Sequence, residues 1–575
     1  MAIAAKPRTR AAPAVGGRSF DRPVQALVAG ATALLVAFPL APIIYQSING
    51  RPLYDRVAAL TLANYTRVFG SAEFWRIAGL TIIFALLTTV GAVALGAALA
   101  VLLTRTDIPL RGPLAGLVVI PFYVSPLVLA FAWRIVFGPQ GYLSIWARQL
   151  PGAPHWNLDS LAGMTLVAIM YYAPYTYLYC AGSLGLADPQ VEDAGRIAGA
   201  GPLRTLWTVT LPLLRPALLQ SIMLTLVSSI ELLSIPLVLG QPANIQVLAT
   251  YLYTLGVLGT SPDYGAVAAV AVATIALVSG LVFLQERLVR QGRRFVTLGG
   301  KATRPRTLRL GPWRWVALAV VLAYILFGIV APLLGIVAQS LVAILTPLVS
   351  PWELRTLDNY RQLFTTAQYA GSIRNSIILS VVGAAVGVVF IALVALTATR
   401  SDFRGRRALT YLSLYPRAIP GLIVGIGFLY AFLLIPGLGG IRNTLFALGV
   451  AFIMRHLPLG YGALSPAILQ ISPELDHAAR VGGTTWLGAM RAILLPILRP
   501  ALFSAYVLLF ITFLKEYSTA LFLFAPGSEV MGTTMIALSR QGETGAIAAL
   551  ATVQMAITLA VLVLSRRLFG VELRR

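Results

Sequence analysis

A single cysteine, Cys180, rules out a disulfide within the chain and leaves no thiolate cluster for a metal. Histidine is almost as scarce. His155, His456 and His477 stand far apart, so no zinc site is expected. Charge is scarce too: 11% of residues carry one, against about 25% in an average soluble chain. With 58% hydrophobic residues and apolar runs of bilayer-spanning length, the 575-residue chain reads as an all-α polytopic membrane protein. Lysine occurs three times among 44 basic residues, so the net charge of +24 is almost wholly arginine. These arginines cluster in short segments between apolar runs. That pattern marks loops on the positive side of a membrane and calls for lipid, not nucleic acid, as the surroundings. A phosphate-cradling GxxxxGK[ST] loop is missing as well. Lys301 follows Gly299 and Gly300, but Phe295 and Ala302 occupy the other required places. Any nucleotide chemistry must therefore come from another chain.

What is present is a repeat. Twelve spans are expected, at 24–48, 77–103, 114–137, 161–184, 213–239 and 266–283, then 315–341, 376–397, 409–434, 445–469, 498–524 and 546–564. Asn64-Tyr65 returns as Asn359-Tyr360, 295 positions on, as do Arg105 (Arg400) and Pro121 (Pro416). From Pro174 (Pro458) onward the offset is 284. One length change of eleven residues, in the loop between the third and fourth spans, reconciles the two values. The expected organisation is a basic tail (1–23), a six-helix half (24–284), a basic linker (285–312), a second parallel half (313–566) and a short tail (567–575). The tail, linker and arginine loops share one side, which the positive-inside rule makes cytoplasmic for both termini. The N-terminal 23 residues read as a cytoplasmic tail rather than a cleaved signal.

Within each half, between its fourth and fifth spans, lies a polar island: 188–218 and 472–502. Each opens with a capping residue before proline (Asp188-Pro189, Ser472-Pro473) and has acids in the first turn (Glu192 and Asp193; Glu474 and Asp476). Each then turns at glycine and closes with Leu-Pro. An acid, two small residues, a glycine four places on and a distant Leu-Pro resemble the EAA loop of permeases in binding-protein-dependent bacterial ABC importers. The first copy falls on Asp193, Ala194, Gly195, Gly199, Val209 and Leu211-Pro212. The second falls on His477, Ala478, Ala479, Gly483, Ile493 and Leu495-Pro496.

The resemblance covers nearly the whole chain. A fused pair of halves is similar to the ferric-iron and thiamine group. It implies the type I ABC importer permease fold in the bacterial inner membrane. It also implies two copies of a cytoplasmic ATPase that bind ATP and Mg, one extracytoplasmic solute-binding protein, and no cofactor or enzymatic step in this chain. The substrate it suggests is ferric iron, with thiamine, polyamine or phosphonate as alternatives. The family's glutamate is Asp193 in one copy and His477 in the other, so Asp476 is the expected charge contact of the second loop. The first loop is expected to couple more strongly.

Charges inside spans point to a pathway, because burying one costs about 2.5–3.5 kcal/mol on insertion scales. Glu231 and Lys515 occupy equivalent places 284 apart, and Glu516 follows Lys515. They are expected to face the central pathway; an internal ion pair, or Lys515 paired with Glu516, is the structural alternative. Pro236 is expected to break the helix nearby. Tyr171, Tyr172, Tyr175 and Tyr177 in span four, and Arg455 and His456 in span ten, carry weaker signals, and Arg134 suits a membrane end. A rival class is an ion-driven secondary transporter with 6+6 repeats, which the loop at 399–407 faintly resembles. The Leu-Pro islands in both halves argue against it, and no filter-like repeat supports a channel.

Overall fold

The computed structural model describes residues 18–51, 55, 59–149, 156–186, 197, 199, 201–258, 262–292, 308–344, 349–350 and 353–569. Among them there are helices and three isolated bridges, and no strands. The first half contains α1 (Arg18–Ser47), α2 (Ala72–Arg105), α3 (Arg111–Tyr123), α4 (Pro126–Phe137), α5 (Leu161–Leu186), α6 (Arg215–Ile230), α7 (Leu248–Leu258) and α8 (Tyr264–Gly292). The second contains α9 (Trp313–Ser340), α10 (Ala367–Arg400), α11 (Arg406–Ala418), α12 (Gly421–Leu434), α13 (Leu445–Gln470), α14 (Pro473–Val481), α15 (Trp486–Leu514), α16 (Met531–Gln541) and α17 (Thr544–Phe569).

Among the described residues, eight helices are long and apolar enough to cross a membrane, and the number is ten if each of two bent pairs is one span. The expected spans four and five are the tyrosine-rich α5 and the 16-residue α6, which stops at Glu231. The expected continuous spans three and nine are instead sharply broken. The path bends by 106° between α3 and α4 and by 107° between α11 and α12. Pro126 and Pro420 stand at these breaks, where a proline starts a helix more easily than it continues one.

Span five breaks at Glu231, before Pro236, and span eleven breaks at Lys515 with no proline nearby. Proline is therefore not the common cause. Both breaks are sustained by side chains that take freed carbonyls: Tyr172 donates to Ser228 O at 2.8 Å and Gln554 to Leu514 O at 2.8 Å. Beyond the breaks, α7 and α16 start alike. Thr81 Oγ1 accepts from Leu248 N and Ser376 Oγ from Met531 N, both at 2.9 Å. Thr81 and Ser376 are 295 apart, so the repeat extends to individual hydrogen bonds.

The halves exchange their first helices. α1 packs along α12, and α9 packs along α4. Phe38 meets Phe428 and Phe432 with ring centroids 5.5 and 5.6 Å apart. A Cβ on Gly427 would lie 2.4 Å from Pro39 O, so the crossing needs glycine there. One end of the bundle, the loop face, carries the turn glycines Gly199 and Gly483.

Candidate functional site

A cavity of about 330 Å³ lies between the halves, lined by α5, α6, α13, α15 and the breaks of the third and ninth spans. Glu231, Arg455, Lys515 and Glu516 line it together with Tyr171, Tyr172 and Tyr175. Glu231 and Lys515 end their helices as C-caps, which projects the two repeat-related charges at one level. Glu231 does not pair with Lys515: its Oε2 binds Arg455 Nη2 at 2.9 Å.

Arg455 also donates to Ile419 O at 2.9 Å, at the break before α12. Lys515 Nζ donates to Phe122 O at 2.8 Å, just before the break after α3, and lies 5.5 Å from the Phe122 ring centre. Each bent span thus has a carbonyl near its break taken by a cation, once within a half and once between halves. Glu516 does not turn back to Lys515. Its Oε1 accepts from Ser518 Oγ at 2.8 Å and Thr519 N at 3.0 Å, and its Oε2 lies 3.4 Å from His456 Nε2. Among the described residues, no three of His, Cys, Asp and Glu group closely enough to hold a metal ion.

The cavity runs from this charged layer toward the loop face. Along α6 it follows Leu224 and Ser228, along α15 Ser504, Leu508 and Ile511, and on α17 it reaches Ser565. On the other side of the layer the halves meet directly. Arg540 of α16 donates to the Tyr253 hydroxyl of α7 and stacks on its ring, and Phe522 lies against Gly256. Arg455 and His456 carried weak signals in the sequence. They stand 284 positions after Tyr171 and Tyr172, so one span presents cations where its twin presents phenols.

The islands form the second group of residues. The segment with Glu192, Asp193, Ala194 and Gly195 lies outside the described residues. Gly199 and Gly483 both have φ of +82°, the left-handed turn that favours glycine. In the second island α14 begins at Pro473 as expected, and Ser472 Oγ accepts from Glu474 N at 3.3 Å. Before each closing proline the helix widens into a π-type turn, Leu206–Thr210 and Met490–Leu494. Pro212 and Pro496 offer no N–H to the preceding turn, which accounts for the widening.

Asp476 does not face outward as a charge contact. It is buried, with Oδ2 3.4 Å from Arg400 Nη1. Arg400 also donates to Ile468 O at 2.6 Å and to Ile471 O. Arg105 makes the equivalent bond to Leu184 O at 3.0 Å, so an arginine ties down the end of the fourth span in each half. Ala478 is exposed and Ala479 half-buried. Ile197 and Val481, again 284 apart and each two residues before its turn glycine, are 88% and 89% exposed.

Two halves with exchanged first helices, a charged cavity between them and twin glycine turns, each beside an exposed apolar side chain, define a membrane permease. The chain belongs to the family described as the binding-protein-dependent transport system inner membrane component, which matches residues 92–294 and 387–571. It is 26% identical over 452 residues to the ferric transport system permease protein FbpB of Actinobacillus pleuropneumoniae. That match takes in 77% of this chain and 64% of the relative, so the chain spans under two thirds of that relative's length. A putative ferric transport system permease of Haemophilus influenzae is 27% identical, covering 77% of this chain and 69% of the relative. A probable ABC transporter permease of Sinorhizobium fredii is 24% identical, covering 90% of each chain. A solved bacterial ABC transporter that imports alginate aligns at 22% identity and a TM-score of 0.36, covering 44% of this chain and 96% of its own.

Proposed function

We propose that this chain is the permease of an ATP-driven importer, inserted in the inner membrane with both termini and both islands cytoplasmic. Two copies of an ABC ATPase dock on the islands, and a solute-binding protein delivers cargo from outside. The observation that carries this reading is the pair Ile197 and Val481. Two large apolar side chains at repeat-related positions stand almost fully in the open beside identical glycine turns. Such residues in a loop rich in polar groups suit burial in a partner, and their duplication suits a paired one.

The arrangement described is the inward-facing one. The cavity extends toward the islands, while Tyr253 and Arg540 hold the outer side together. Closure of the ATPases on ATP would draw the islands together and rock the halves, separating the outer contacts and opening the charged layer to the binding protein. The chain itself needs no catalytic group for this. Ferric iron is the substrate favoured by the names of the relatives from Actinobacillus and Haemophilus. Thiamine, polyamine and phosphonate remain its competitors.

Co-purification with the ATPase, followed by uptake in proteoliposomes, tests the reading. Ile197→Asp with Val481→Asp should abolish ATPase association while the permease stays folded in the membrane. Uptake driven by an ion gradient without any ATPase would overturn it in favour of a secondary transporter.

A further inference from the structure

The second island is fastened by a residue outside it. At the loop-face end of α1, Asp21 Oδ2 accepts from Trp486 N at 2.9 Å and Oδ1 from Leu487 N at 3.5 Å. These are the first two residues of α15, where free N–H groups and the helix dipole favour a carboxylate. The first half cannot repeat the shorter of these two bonds. The position equivalent to Trp486 is Pro202, which has no N–H. Along the first helices the repeat runs at 293, as Gln46-Ser47 against Gln339-Ser340 shows, and this sets Arg314 opposite Asp21. Arg314 has the wrong sign to cap a helix start.

The other end of α1 is held differently. Asn64 Nδ2 donates to Ser47 O at 3.2 Å and to Asn49 O at 2.9 Å. Gly265 of α8 packs so closely on Asn64 that a Cβ there would lie 2.5 Å from its Oδ1. α1 has 30 residues, a rod of about 45 Å. It therefore joins the second island, on one face, to the first half on the opposite face.

Resting on the permease reading, we propose that Asp21 is a positioning residue that makes α1 a strut. Displacement of the second island by the ATPase is carried along α1 to the outer face of the first half, and in the first half Pro202 and Arg314 stand where the second island's link has Trp486 and Asp21. This makes coupling unequal between two islands of the same turn geometry.

The test uses the complete importer in proteoliposomes: permease, ATPase and binding protein. Asp21→Ala should lower the stimulation of ATP hydrolysis by liganded binding protein at least about five-fold, within the range of coupling between distant sites. Basal hydrolysis and the amount of assembled complex should stay unchanged. Asp21→Asn keeps an acceptor oxygen and should remain within about two-fold of wild type, since asparagine caps helices as well as aspartate does.

A second arm restores the link covalently. With Cys180→Ser as background, Asp21→Cys and Leu487→Cys should respond poorly until joined by a short thiol crosslinker, and then recover. Equal stimulation in Asp21→Ala and wild type overturns the inference. So does a parallel fall in basal and stimulated rates, or no recovery on crosslinking. A wild-type chain that brings down no ATPase overturns the permease reading and the inference with it.

Discussion

The Glu231 carboxylate lies 2.9 Å from the Arg455 guanidinium, across the boundary between the two halves. Both side chains line the cavity and both are mostly shielded, at 17% and 18% exposure. Removing one partner of such a pair leaves a buried charge alone, at a cost of about 3–5 kcal/mol. Glu231→Gln and Arg455→Met should each reduce uptake at least ten-fold in complexes that still assemble. The exchange Glu231→Arg with Arg455→Glu should recover part of it. Wild-type uptake in both single variants would remove the pair from the pathway.

Lys515 should behave differently from Glu231, although the repeat relates them. Its ammonium serves a carbonyl next to a broken span, so Lys515→Met leaves Phe122 O unsatisfied, a loss of about 1–3 kcal/mol. A lower thermal midpoint together with reduced uptake is expected. Lys515→Arg, which can still donate, should be milder in both measurements. Glu516→Gln should affect the His456 contact and leave the Phe122 contact intact.

The two turn glycines carry the same backbone constraint. Gly199→Asp and Gly483→Asp each force an L-residue to φ of +82°, at about 1–2 kcal/mol of strain. The second island is also held by Asp21 and by the Arg400–Asp476 pair. Those contacts keep the second island in place, and its link along α1 intact, when its turn is strained, so the coupling defect should be larger for Gly199→Asp. Equal losses of stimulated ATPase activity in the two variants, with ATPase binding measured alongside, would count against unequal loops.

Asp476→Asn tests whether that residue acts inside the chain or on the partner. Losing the buried pair to Arg400 should loosen α14 and raise its hydrogen-exchange rate even in the permease alone. An effect seen only when the ATPase is bound would return Asp476 to the docking surface.

Helix exchange makes one steric prediction. Gly427→Ala places a Cβ 2.4 Å from the backbone oxygen of Pro39, which has little room to move. A loss of about 1–3 kcal/mol is expected, as for other overpacked contacts. Gly437→Ala, whose Cβ would meet nothing within 4 Å, controls for crowding but not for its own φ of +87°. Gly439→Ala, with open space around it, is the cleaner reference. Thermal midpoints in detergent should separate Gly427→Ala from Gly439→Ala.

Much of this architecture was legible in the chain. Apolar run lengths locate the spans because a bilayer admits backbone only when it is hydrogen-bonded internally. Register arithmetic pairs Thr81 with Ser376, Arg105 with Arg400 and Ile197 with Val481, because equivalent positions in two parallel halves meet equivalent surroundings. The glycine turns follow from the small set of residues that tolerate positive φ. The charges at 231, 515 and 516 stand out because hydrocarbon makes them costly.

What tertiary structure decided is which equivalent position meets which. Glu231 reaches Arg455, whose own counterpart is Tyr171, and Lys515 reaches a carbonyl that no side-chain pattern advertises. Asp476 looks like an outward acid until Arg400 arrives from 76 positions away. Asp21 sits 465 residues from the N–H it caps. Spacing along a chain specifies which residues share a helix face. Partners across an interface depend on how two bent, exchanged halves approach one another, and that geometry arises only when the whole chain has packed.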